Sequence, residues 1–356
     1  MKIKVFFILL LSFVTALSFM GCEGEVGPQG IQGETGPPGP TGSSGNDGED
    51  GQNGAENCLE CHGNNQLITA KIFQWENSIH NLGGTYERNI SRCAGCHTSQ
   101  GFLDRIATGG MEASETVAEP LPINCYTCHS IHQTYTQEDW ALTQSDPVTI
   151  WLTDQTADLG NANQCINCHQ PRIPGDGIPA TDATGDYTIT STRYGPHHGA
   201  QGTMFLGQGI AGAYEIGEGY SNSLHTTLLA DNACVTCHMA PLMDGRAAGG
   251  HTFRIATEEG DLNFNGCAEC HTEEEAETIV TNTQAEISTK LETLAGLLRG
   301  IGILNPDADR SVPGTYTTVQ VGCYYNYIFI VEDQSLGVHN AKYTRTLLDN
   351  SIAALQ

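Results

Sequence analysis

The chain opens on Lys2 and Lys4, followed by a mainly apolar run from Val5 to Met20. The run falls short of the roughly 20 apolar residues a membrane span needs, and no second charge cluster follows it. It reads as an export signal over residues 1–21. A long amphipathic pattern appears only much later, at Glu273–Leu304, where Ile279, Ala285 or Glu286, Ile287, Leu291, Leu294 and Leu298 form an imperfect apolar stripe. The pattern predicts a helix that Asn305-Pro306 ends. Tyr316–Val331 is ambiguous, because its β-branched and aromatic residues favour strand. Asp186–Tyr194 alternates as one short strand would. Elsewhere, segments such as Ile72–His80 read as short helices set in Gly- and Asn-rich loops. The expected class is mostly α with much irregular loop.

Between residues 22 and 57 a different period takes over. Glycine recurs at every third position from Gly24 to Gly54, with Pro28, Pro37, Pro38 and Pro40 between. Strict period three is what a collagen triple helix requires, since only Gly fits at its axis. Against trimerisation stand seven acidic residues and no Lys or Arg from Glu23 to Asn57. A flexible Gly-rich spacer is the equal alternative. Either way the segment is a stalk, and roughly 30 residues at about 3.1 Å each reach on the order of 90 Å when extended.

The chain has 356 residues, with 15 Lys and Arg against 41 Asp and Glu, a formal charge of −26. This argues against nucleic acid and against a polybasic membrane patch. The 14 cysteines are too few for a small disulfide scaffold and too many for ordinary packing. Twelve of them fall into six repeats of one pattern. These are Cys58/Cys61/His62, Cys93/Cys96/His97, Cys125/Cys128/His129, Cys165/Cys168/His169, Cys234/Cys237/His238 and Cys267/Cys270/His271. Each reads C-x-x-C-H, the pattern of covalent haem c attachment. One helical turn brings two thiols and an imidazole to one side, so the thiols can hold the macrocycle and the His its iron. A single C-x-x-C would suit a redox disulfide or half a zinc site equally well. With His at about 4% of residues, chance would place it after all six pairs on the order of 10⁻⁹ of the time. Six haem c groups are expected.

Seven histidines remain: His80, His132, His197, His198, His225, His251 and His339. Six irons need six second axial ligands, and the adjacent pair His197-His198 counts for one of them. Imidazole on both faces gives low-spin iron of low potential with no open position, which points to electron transfer. His132 follows His129 too closely to reach the opposite face of the same haem, so it is expected to serve a neighbour. Motif starts are 35, 32, 40, 69 and 33 residues apart, too irregular for a tandem array. About 50 residues per haem cannot build a separate core for each, so the haem-free chain is expected to be largely unfolded.

With these motifs the chain resembles bacterial multihaem c-type cytochromes over roughly residues 58–350. Tyr194-Gly195-Pro196-His197-His198-Gly199-Ala200-Gln201, Ser223-Leu224-His225, Gly250-His251-Thr252-Phe253 and Gly337-Val338-His339-Asn340 are similar to phrases of that group. The resemblance implies that their histidines are distal ligands. It also implies a fold organised around the haems, closed by a C-terminal helical hairpin in which Tyr316–Val331 is the second helix. Phe19-Met20-Gly21-Cys22 resembles the lipobox of bacterial lipoproteins, which would make Cys22 the lipidated first residue. A plain secretory signal is the alternative.

The expected organisation is a signal over 1–21, a lipid-anchored stalk over 22–57, a hexahaem domain over 58–272 and a helical extension over 273–356. The expected protein is an envelope electron carrier, an outer-membrane lipoprotein at the cell surface or facing the periplasm. Its redox partner would present a basic docking surface. A homotrimer through the stalk and a homopolymer through shared haem ligation are the expected modes of self-assembly. The enzyme alternative, of nitrite or hydroxylamine type, needs one open iron; no motif carries Lys in place of His, and His is not short. Cys323 is the one thiol without an assignment, expected to be buried and inert.

Overall fold

The computed structural model describes residues 58, 59, 62, 63, 65–83, 86–243 and 248–356. The signal, the Gly-X-Y stalk, the lipidation candidate Cys22 and the attachment candidate Cys61 lie outside the described residues. The described residues fall within one unit, Asn53–Gln356.

Close to half of them are helical, in pieces that are short until residue 273. The helices are α1 (Asn65–Glu76), α2 (Ser91–His97), α3 (Ser99–Thr108), α4 (Cys125–Cys128), α5 (Asn163–Ile166), α6 (Ala200–Leu206), α7 (His225–Leu228) and α8 (Ala233–His238). Then come α9 (Glu273–Ile301), α10 (Thr318–Asp333) and α11 (Ala341–Leu355). Two antiparallel ribbons complete the fold. Strands β1 (Val148–Ile150) and β2 (Gln155–Ala157) pair Thr149 with Thr156. Strands β3 (Asp186–Ile189) and β4 (Gly314–Thr317) pair Tyr187 with Tyr316, which joins the middle of the chain to its C-terminal part. The alternation at Asp186–Tyr194 thus yields a strand.

Thr272 starts α9 with a capping box: its hydroxyl accepts from the Glu275 N–H and the Glu275 carboxylate accepts from the Thr272 N–H. The helix stops at Ile301, before the Asn305-Pro306 expected to end it. Gly302 adopts a left-handed φ of 85°, and its N–H turns back to the Leu298 and Arg299 carbonyls. The buried face runs through Ala276, Thr283, Ile287, Leu291, Leu294, Ala295 and Leu298, while Ile279 is half exposed.

The ambiguous segment is resolved as strand β4 followed by helix α10, started by a second capping box between Thr317 and Gln320. Val321 to Ile330 is buried without interruption. A helix covered on all sides carries no amphipathic period, which is why its sequence reads like a strand. The expected C-terminal hairpin needs correction. A third helix, α11, packs on both α9 and α10 through Tyr343, Leu347, Leu348 and Ser351. Arg345 Nε donates to Glu286 at 2.7 Å, and Lys290 pairs with Asp349, so α9 and α11 are also joined at their surface.

This three-helix unit holds the main core, with Ile189, Tyr194, Ala200, Met204 and Ala211 brought in from the middle of the chain. Asn326 lies inside it with its polar atoms satisfied: Oδ1 accepts from the Tyr214 N–H at 2.8 Å, and Nδ2 donates to the Tyr214 carbonyl and to Ser351 Oγ. Cys323 is fully buried, and desolvation pushes its thiol up to about 12. A smaller core gathers around β1, β2, Ile166 and Phe205. No helix among the described residues is long and apolar enough to cross a membrane.

Candidate haem centres

The second to sixth attachment patterns are each built on one tight turn. The motif histidine's N–H donates to the carbonyl of the first cysteine at 2.9 Å for His129, 3.0 Å for His169 and 2.9 Å for His271. The second motif lies on α2 and the fifth on α8, again one turn from first thiol to histidine. That turn aims two sulfurs and an imidazole in one direction. No disulfide joins the described cysteines. Nor does any group of three or more His, Cys, Asp or Glu side chains among the described residues converge on a metal-sized site.

The attachment thiols differ in their surroundings. Cys93, Cys96, Cys125, Cys128, Cys165, Cys168, Cys234, Cys237 and Cys267 are half-buried, whereas Cys58 and Cys270 are exposed. Cys270, expected from sequence to tether a haem in the sixth motif, is therefore not placed by packing. Its position comes from the backbone turn, in which its N–H donates to the Cys267 carbonyl at 3.0 Å. A site that holds both its cysteines inside the protein, as the fourth motif nearly does, is not what the structure shows here. The first and sixth motifs instead present a thiol at the surface.

Thiols of different motifs meet. Cys96 lies close enough to Cys168, and Cys165 to Cys234, for each thiol to perturb its neighbour's ionisation. The fourth motif therefore touches the second through one cysteine and the fifth through the other. Arg105 is buried at the first of these contacts. It donates through Nε to the Gly95 carbonyl and through Nη2 to the Asn167 carbonyl, at 3.1 and 3.0 Å. Both carbonyls belong to attachment loops, so one guanidinium clamps two motifs.

The histidines assemble in pairs from remote parts of the chain. His62 faces His132 with ring centroids 6.4 Å apart, and His80 faces His169 at 6.2 Å. His129 faces His251 at 6.3 Å, His271 faces His225 at 6.4 Å, and His238 faces His339 at 6.2 Å. Every pair joins one motif histidine to one of the seven others. Two imidazoles on opposite sides of one iron, each bonded at about 2 Å with its ring centre about 1.2 Å further out, stand about 6.3 Å apart. The five pairs fit that requirement within a spread of 0.2 Å, while their interplanar angles range from 34° to 80°. Rotation about the ring-to-ring axis leaves the centroid distance unchanged, so the variable angles do not disturb the fit.

His97 is the exception. No histidine ring faces it at this spacing among the described residues, although its charge environment includes His198, and that of His197 includes His97. His197 and His198 adopt left-handed φ of 56° and 60°, and His132 one of 62°. Such backbone is uncommon for residues other than glycine and collects at functional sites.

Burial keeps several of these histidines neutral, which favours ligation. Burial holds His80 down to about 4, helped by His169 and then His238. Burial, with Lys71 and His129, likewise holds His251 down to about 4. His97, His169, His225 and His238 are lowered chiefly by desolvation. A neutral imidazole keeps a lone pair for a metal. His169 keeps accessible surface although its neighbours desolvate the ring. Nδ1 faces the Trp140 carbonyl at 2.7 Å in His129 and the Phe253 carbonyl at 2.9 Å in His238. Carbonyls only accept, so Nδ1 carries the proton and Nε2 is left free. His339 Nδ1 faces the Asp333 carboxylate at 2.6 Å. Burial works against that histidine's charge, but the Asp333 charge and hydrogen bond prevail and raise its pKa.

Arg105, Gln201, Glu332 and Asp333 were not anticipated from sequence. No motif marks them, because each acts on a histidine or loop distant in the chain or unrelated by period. Met204, which lies near a motif, has its sulfur buried in the helical core, where it accepts from the Thr344 hydroxyl.

No protein-family model matches the chain, and no curated protein does. Among solved structures, the outer cell wall cytochrome OcwA is similar, with a TM-score of 0.50 and 18% sequence identity. The match covers 80% of this chain and 50% of that one. The chain shares its fold with part of that cytochrome. It spans about half the length of that relative, and the likeness concerns architecture alone.

Proposed function

We propose that the chain is an electron carrier holding six haem c groups, five of them between the histidine pairs described above. The observation that carries this reading is the 6.2–6.4 Å spacing repeated in five pairs, each uniting a motif histidine with a distant one. When bound, haem supplies one-electron ferric/ferrous chemistry, and imidazole on both faces leaves no position for substrate.

The protein's own residues do the rest. The paired cysteines tether each macrocycle, Cys267 and Cys270 holding the sixth at the protein surface, and the histidines hold iron from both sides. His132 serves the first motif, His80 the fourth, His251 the third, His339 the fifth and His225 the sixth. His197 or His198 serves the second. The thiol contacts put the fourth motif at a junction, beside the second and the fifth. Electrons entering at one motif would thus have more than one exit.

The export signal, lipidated Cys22 and Gly-X-Y stalk would set this body away from the membrane. The similar cytochrome is one of the outer cell wall, which supports the same side for this chain. With a formal charge of −26, the redox partner would present a basic face, and association would weaken as salt rises.

The test is the mass and spectrum of the mature protein. Six haem masses and wholly low-spin ferric iron are expected. Fewer than five haems, or a disulfide in place of thioethers, would overturn the reading. A second reading rests on His97, which no histidine ring among the described residues faces at the spacing of the five pairs. It makes the second motif an open iron, as in a nitrite- or hydroxylamine-type oxidoreductase. A high-spin component of one haem in six would select it.

A further inference from the structure

The acceptors behind the paired histidines are unequal. His129 and His238 donate to neutral carbonyls, and His169 faces the Gln201 amide oxygen at 3.4 Å. Among the described residues, His339 is the one paired histidine with a buried carboxylate at Nδ1. Asp333 is the last residue of α10, and its side chain has no accessible surface. Its second oxygen accepts from the Ser335 hydroxyl. Ser335 Oγ in turn accepts from the His339 N–H at 3.2 Å, so a short closed loop fixes carboxylate and imidazole together. An ionised carboxylate only accepts, so Nδ1 of His339 carries the proton and Nε2 keeps its lone pair, on a ring whose centroid lies 6.2 Å from that of His238.

We propose that Asp333 is a positioning and tuning residue that makes the iron between His238 and His339 the lowest in reduction potential of the six. The inference rests on the ligand reading above. A hydrogen bond from Nδ1–H to a carboxylate makes the imidazole a stronger donor to metal. The buried negative charge also favours ferric over ferrous iron, because little water screens it. Both effects act in one direction. The rival is His198, whose Nδ1 faces Glu332 at 2.5 Å. Its side chain is 69% exposed against 23% for His339, so solvent weakens that effect. The redox event is a single electron leaving ferrous iron for an adjacent haem, with no bond made or broken.

The position matters because the fifth motif lies beside the fourth through Cys234 and Cys165. A low-potential step there would bias electrons toward the junction from one side. The side chains responsible come from the C-terminal helical unit, which otherwise contributes packing.

The experiment is a spectroelectrochemical titration of the haem-loaded full chain, wild type against Asp333→Asn and Ser335→Ala. In Asp333→Asn, about one sixth of the absorbance change, the lowest-potential component, should move to higher potential, with iron still low-spin. In Ser335→Ala the carboxylate loses a competing donor and becomes the stronger acceptor, so the same component should move lower. Opposite signs separate tuning from simple damage, which would move both variants alike. Unchanged titrations, equal shifts of all components, or shifts of the same sign would each overturn the proposal. Should Asp333→Asn not fold, the downward shift in Ser335→Ala decides alone. If the wild type lacks low-spin haem altogether, the ligand reading fails first, and that result is visible before any variant is made.

Discussion

Residues 58–147 and the unit around α9–α11 solve the problem of stability differently. The second has a continuous core of interlocked aliphatic and tyrosine side chains. Among the described residues, the first contributes none to either hydrophobic cluster. It is also where large apolar side chains sit in the open. Of 19 exposed large hydrophobic residues among the described ones, 13 lie in 58–147 and one, Ile279, in α9–α11, and many flank a motif or a paired histidine, such as Leu59, Ile79, Leu82, Tyr126 and Trp140. Apolar groups left uncovered around attachment sites are what a chain shows when flat macrocycles are meant to lie against them. The contrast teaches that the C-terminal unit is a protein core in the ordinary sense, while the N-terminal part is short helices and loops whose apolar side chains the chain itself leaves uncovered.

The largest test of that contrast removes the cofactor. Expressed without haem attachment, the chain should lose protection throughout 58–147, while 185–215 and 273–356 keep slowly exchanging amides. Hydrogen exchange resolved by segment reads this, and equal protection in both regions would break the comparison. Next in size, Leu294→Ala or Leu347→Ala should cost about 2–5 kcal/mol of stability by opening a cavity in the helical core. Denaturant melts followed by far-UV circular dichroism would show it, with the haem spectrum of the folded protein unchanged.

Arg105→Leu probes the other region. It leaves the Gly95 and Asn167 carbonyls without their donor, at about 1–3 kcal/mol each. The loss should appear as altered coupling or incomplete attachment at the second and fourth motifs, measured by haem content per chain, and should leave helix α9 intact. The smallest effect concerns Asp176. Hydrogen bonds from Thr190 hold its carboxyl below the usual carboxylate range. A depressed folded pKa gives stability that is present above the unfolded value, about 3.9, and lost as pH falls through the folded one. Asp176→Asn should therefore narrow its stability gap from wild type between pH 6 and pH 3, in paired denaturant melts. A constant gap would remove this assignment.

Part of the fold was legible because it is written locally. The stripe from Ile287 to Leu298 and the strand at Asp186 obey simple periods. Helix α10 was not, since burial on every side erases the period that amphipathic helices carry. Helix α11 has a readable face in Tyr343, Leu347 and Leu348 behind an Asn340 cap, so the third helix was legible although only a two-helix hairpin was expected. The end of α9 followed from a left-handed Gly302 and had no need of the proline that marked it in sequence. The exposure of Cys270 against the half-buried Cys267 was not legible, because all six motifs read alike and only packing around them differs.

From sequence alone came the six places where haem could be attached, because two thiols and one imidazole within a single turn are contiguous in the chain. So did the number of histidines available to complete them. Which histidine faces which motif was decided only by the tertiary structure. His339 reaches His238, and His251 reaches His129, across long stretches of helix, strand and loop whose local periods carry no pairing rule. Asp333 behind His339 belongs to the same category. Local geometry is encoded by neighbours along the chain, whereas an axial partner and the carboxylate behind it are selected by packing, where only the folded chain brings them within hydrogen-bonding distance.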